Sequence, residues 1–153
     1  MHQYGVESGS VSLVAATAKT VWQWVTGSTR RSRLLEVGFS FVSTTATHIP
    51  VLAELRIQST AGTSSAFTPT LSDQTDPAAI STARNVFTVE PTDVSLLQPG
   101  PWSVTPVGGL FVYNWSQSLA DYNIIMAVST RLGLRLTAPD AQTGVRAYGL
   151  FQE

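Results

Sequence analysis

Cysteine is absent from this 153-residue chain, and charged residues make up only 12% of it, with Lys19 the single lysine. The missing cysteine excludes a disulfide scaffold, a thiol nucleophile and Cys-ligated zinc. The charged share is about half the usual globular value of roughly 25%, so something other than Lys, Glu, Arg and Asp must cover the surface. No stretch approaches the ~20 consecutive apolar residues that a spanning helix needs, so no membrane partner is expected and the chain reads as soluble. The opening residues 1–12 lack a basic start followed by an apolar run, and no secretion signal is read there. A net charge of −1 and a pI near 6.1 supply no long-range field for phosphates, so nucleic acid is not an expected partner.

Serine and threonine fill the gap, making up nearly a quarter of the chain. Hydroxyl side chains suit exposed strand faces and turns better than helix interiors. The hydrophobic content of 43% and positive mean hydropathy of +0.12 are enough for a real core, the reverse of a disordered composition. Length fits one domain. No internal repeat or linker is found; residues 15–153 read as a single domain and residues 1–14, weakly patterned, as an extended N-terminal arm.

Period-two alternation is clearest in Leu35, Val37, Phe39 and Phe41, which interleave with Glu36, Gly38, Ser40 and Val42, the pattern of a strand with one buried face. Val51, Ala53, Leu55 and Ile57 repeat it after a short turn, as in a hairpin or its equivalent in a sandwich. Further strands are expected at 20–26, 86–89, 102–107, 110–115, 124–128, 132–137 and 145–151, with Gly108-Gly109 as a hairpin turn between two of them. Segments 59–76 and 91–101 read as loops. One short helix is expected over Pro77–Asn85, with Asp76 as its cap. About nine short antiparallel strands with at most one short helix indicate an all-β, jelly-roll-like sandwich.

Chemistry is hard to place on this pattern. His2 and His48 have no carboxylate or second histidine at metal-ligand spacing and read as solvent-facing loop residues. Asp73, Thr75 and Asp76 lack the density of a calcium loop and read as a capped turn. Asn114-Trp115-Ser116 matches a glycosylation acceptor by chance. No catalytic set, metal site or cofactor is expected, and the chain does not read as an enzyme. Trp22 and Trp24 share one strand face, the arrangement of a core, a subunit interface or a platform for sugar rings. Arg30, Arg31 and Arg33 follow a Gly-Ser-Thr turn and form either a solvated turn or an interface cluster. In the last strand, Val145, Ala147, Gly149 and Phe151 alternate with small residues that either admit a neighbouring chain or mark a bulge.

Five segments carry a resemblance: Ala16–Val21 (ATAKTV), Leu35–Phe41 (LEVGFSF), Pro106-Val107-Gly108-Gly109, Arg131–Pro139 (RLGLRLTAP) and Val145–Glu153 (VRAYGLFQE). In order and over most of the chain, they resemble small proteins encoded beside the major capsid gene in tailed bacteriophages, the capsid decoration or minor capsid proteins. The resemblance implies a jelly-roll-like domain that assembles, commonly as a homotrimer, on the outer face of the icosahedral shell. Its implied partners are the major capsid protein and copies of itself, its location the virion surface, and its task the cementing of neighbouring capsomers. No family motif marks the capsid-binding residues, so none is carried over. A tail or receptor-binding component and a carbohydrate-binding sandwich are the alternatives.

Overall fold

Fourteen strands in two antiparallel sheets make up the computed structural model, which describes residues 2–42, 49–97, 100–106, 109–115 and 124–153. In order across the first sheet run β11 (Leu110–Asn114), β4 (Ser32–Ser40), β14 (Gln142–Gln152), β1 (Gln3–Glu7) and β7 (Thr70–Leu71). Two short strands complete it, β12 (Ile124–Met126) beside β4 and β2 (Val11–Leu13) beside β14. Across the second sheet run β10 (Trp102–Val104), β5 (Val51–Gln58), β13 (Arg131–Thr137), β3 (Ala18–Val25), β8 (Thr82–Val89) and β6 (Thr63–Phe67), with β9 (Asp93–Leu96) beside β5. All nine strands expected from the sequence are present, and β1, β2, β6, β7 and β9 are additional.

The sandwich exists because each sheet has one apolar face to bury. Val37 and Phe39 of β4, Ala147 and Phe151 of β14, and Tyr4 and Val6 of β1 face inward from the first sheet. Trp22 and Trp24 of β3, Leu55 of β5 and Leu132, Leu134 and Leu136 of β13 meet them from the second. Full burial of a Leu or Phe contributes roughly 1.5 to 3 kcal/mol, and this layer holds many. Trp24 stacks on Phe151 with ring centroids 4.1 Å apart, and Trp22 meets the same ring edge-on at 5.7 Å. At the open side of the sandwich, Trp102 of β10 reaches Phe111 and Tyr113 of β11 and Trp115 beyond it, so aromatic rings close the gap between the two sheet edges.

Four expectations need correction. The helix over Pro77–Asn85 is replaced by an irregular segment leading into β8, which starts at Thr82. The reason is competition for backbone groups: Tyr4 donates its hydroxyl to the Pro77 carbonyl, and Glu153 accepts the N–H groups of Ile80 and Ser81. Asp76, the expected cap, is turned to His2 instead. Residues 1–14 are not an arm, because β1 lies between β14 and β7 and buries Tyr4 and Val6, while β2 buries Leu13. The strands β4 and β5 do not form a hairpin but belong to opposite sheets. The same holds for β10 and β11, so Gly109 lies in a sheet-to-sheet crossing rather than a hairpin turn; Gly108 lies outside the described residues.

Candidate functional site

Residues directly opposite in a ladder point to the same side of a sheet, so register alone assembles the outer face of the first sheet. One row holds Leu110, Ser40 and Arg146; the next holds Val112, Gly38, Tyr148 and Glu7; a third holds Asn114, Glu36, Leu150 and Gly5. Gly38 is the key position. Any side chain there would overlap the phenol ring of Tyr148, which lies across the β4 backbone in the space a Cβ would fill. The ring is then fixed at its far end, where its hydroxyl donates to Glu36 Oε1 at 2.5 Å. Glu36 is itself held, since its second oxygen accepts from Asn114 Nδ2 at 2.5 Å. Burial is the first cause that pushes the Tyr148 phenol up to about 12, and the neighbouring Glu36 carboxylate adds to it. A glycine on the outward side of an alternating strand was the signal for this site, as glycine in a strand marks a close approach.

Beside Tyr148 the same face sinks into a shallow depression of about 140 Å³, bordered by Glu7, Ser40, Leu110 and Arg146. Leu110, Val112 and Ile125 stand exposed along the β11–β12 edge, at 58%, 42% and 59%. The outer face of the second sheet is built differently. Arg135 donates to Glu54 Oε2 at 2.7 and 3.1 Å and also pairs with Asp93, while Arg56 lies 3.6 Å from Glu54 and 3.4 Å from Asp93. Gln58 extends this network, donating to Asp93 at 3.0 Å and accepting from Gln23 at 2.7 Å. Two cations and two carboxylates neutralise one another there, leaving a closed polar layer.

The sequence-derived site residues fall elsewhere than expected. Trp22 and Trp24 are fully buried between the sheets, so they offer no platform to a sugar ring. Val145, Ala147 and Phe151 are core residues, not a subunit interface. Gly149 is small because its own chain crowds it: a Cβ would sit 2.9 Å from Phe151, 3.0 Å from Trp22 and 3.2 Å from Val6. Arg30 and Arg31 are exposed between β3 and β4, and Arg33 is half-buried on β4. His2 is not a free loop residue; its Nδ1 lies 2.7 Å from Asp76 Oδ1, and its backbone pairs both ways with Glu153. His48 lies outside the described residues. Asp73 caps a turn, accepting from the N–H and hydroxyl of Thr75 at 2.9 and 2.8 Å, and the backbone bond is the first cause holding its carboxyl below the usual range. Among the described residues, no three His, Asp or Glu side chains are grouped to hold a metal ion. Asn114 of the glycosylation match is engaged with Glu36, and Ser116 lies outside the described residues.

No family model, no curated protein and no solved structure matches this chain.

Proposed function

We propose that this chain is a structural virion protein that binds the outer face of a tailed-phage capsid and stabilises the shell by cementing neighbouring capsomers. The observation that carries the reading is where the resembling segments lie in the fold. ATAKTV leads into β3, LEVGFSF is most of β4, RLGLRLTAP is β13 with its exit, and VRAYGLFQE is most of β14. These are neighbouring central strands, β4 with β14 in one sheet and β3 with β13 in the other. The likeness therefore covers two adjacent central strands of each sheet.

A protein of this kind acts by differential binding. It adds contacts between subunits of the assembled shell and not to the free subunits, so mass action shifts stability toward the assembled state. As a homotrimer it would engage the shell at several points at once, and modest single contacts would sum to firm attachment. Its partners in this reading are the major capsid protein and two further copies of itself. Val112 and Ile125, exposed on short edge strands, are the apolar side chains best placed for such contacts.

The test adds purified protein to undecorated capsids of the phage that encodes it. Saturable occupancy in particle reconstructions, together with a higher temperature of particle disruption, is the expected result. Light scattering of the free protein should return three times the 16.4 kDa chain mass. Absence of binding to those shells would overturn the reading, and a strictly monomeric mass well above micromolar concentration would overturn the trimer.

A further inference from the structure

The depression beside Tyr148 combines three features that seldom coincide on a sheet surface. Its lining includes the aromatic ring of Tyr148, held in place because Gly38 lets it lie on the β4 backbone and Glu36 holds its hydroxyl at 2.5 Å. Its rim carries a carboxylate, Glu7, directly opposite Tyr148 in the β1–β14 ladder, and a guanidinium, Arg146, two residues before Tyr148 on β14. Both rim side chains are exposed, and neither makes an ion pair or a side-chain hydrogen bond among the described residues.

An anion would call for an excess of positive charge, and a cation for the reverse; here one acceptor group faces one donor group and the charges cancel. A purely apolar ligand would leave both charged groups to be desolvated without partners, which costs binding free energy. A sugar ring satisfies all three features. Its C–H face lies on an aromatic ring, and its hydroxyls both donate to a carboxylate and accept from a guanidinium.

We propose that this depression binds a neutral saccharide, with one sugar ring laid on Tyr148 and its hydroxyls shared between Glu7 and Arg146. The volume of about 140 Å³ limits the enclosed part to a single ring, so neighbouring units of a longer glycan would extend over Ser40 and Leu110. The site holds or fails independently of shell binding, since it requires no second copy and no capsid.

The experiment titrates the full-length, nitrogen-15-labelled chain with methyl glycosides of glucose, galactose, mannose and N-acetylglucosamine and their short oligomers. Concentrations up to about 10 mM reach the millimolar affinities expected of a shallow one-ring site. At least one sugar should shift the amide signals of Glu7, Ser40, Arg146 and Tyr148. Arg146→Ala and Glu7→Ala should each weaken that sugar about tenfold, the loss of one charge-assisted hydrogen bond. Tyr148→Ala should abolish binding; if that variant does not fold, the two rim substitutions, both of exposed side chains, decide the matter. No shift at these amides with any sugar, or binding unchanged by both rim substitutions, would overturn the proposal. Tighter binding of a sialylated or sulfated oligosaccharide than of its neutral parent would overturn the neutral-ligand assignment.

Discussion

Tyr148 shows how much one side chain depends on two neighbours of opposite kind, a glycine beneath its ring and a carboxylate at its hydroxyl. Its phenol, raised to about 12 from the ordinary 10.0, stays neutral in the folded chain at pH values where the unfolded chain ionises. The contribution to stability is complete below the unfolded value and is lost as pH rises through the folded one. Stability should therefore decline between pH 10.0 and about 12, and Tyr148→Phe should lessen that decline. Absorbance of the phenolate and denaturation midpoints across that range check it; a phenolate appearing at the ordinary tyrosine pH contradicts it. Val86 poses the opposite case. It is exposed, β-branched and held at φ 52° inside β8, where left-handed backbone costs roughly 1–2 kcal/mol. Asparagine tolerates that conformation, so Val86→Asn should raise stability by about 1 kcal/mol. An unchanged or lower denaturation midpoint would show that the exposed valine contributes something the backbone strain does not outweigh.

Among the elements, β9 is attached in a way its own sequence hardly shows. It pairs with β5, and its Asp93 is gripped by Arg135 from β13, Arg56 from β5 and Gln58 from β5. Replacing Arg135 by methionine keeps the stem but leaves Glu54 and Asp93 with a single guanidinium between them. The expected loss is about 2 kcal/mol or more, because two largely buried carboxylates would lose charge-assisted bonds. Urea denaturation measures it, and an unaltered midpoint would mean that the network is balanced by its own desolvation. Legibility in the sequence followed burial on one face only. The strands β4 and β5 alternate cleanly and were readable, whereas β6 (TSSAF) is exposed or half-buried throughout and β7 is two residues long, so neither carries a period. At 77–85 local helix signals were present but lost to distant partners, Tyr4 and Glu153, that no window of sequence contains.

At the scale of the whole molecule, the two ends of the chain are joined. His2 and Glu153 exchange backbone hydrogen bonds at 2.8 and 3.1 Å, and the Glu153 carboxylate accepts the Ser81 hydroxyl at 2.6 Å. Deleting residues 1–14 would remove Tyr4, Val6 and Leu13 from the core and strip β14 of two pairing strands, β1 and β2. At about 2–5 kcal/mol each, the loss of three such side chains is as large as the whole stability of an ordinary domain, roughly 5–15 kcal/mol. The truncated chain should thus be unfolded by circular dichroism; a native spectrum with cooperative melting would restore the reading of this segment as a dispensable arm. The amino-acid sequence by itself determined that the chain is all β, which strands have two unlike faces, and that hydroxyls rather than charges cover it. These follow from composition and from a period that each strand carries internally. Only the tertiary structure decided what each apolar face meets. Val145, Ala147, Gly149 and Phe151 have the same alternation whether they bury against a second chain or against their own, because burial removes water equally in both cases. It took the position of Trp22, 3.0 Å from where a Gly149 side chain would begin, to show that the partner is the same molecule.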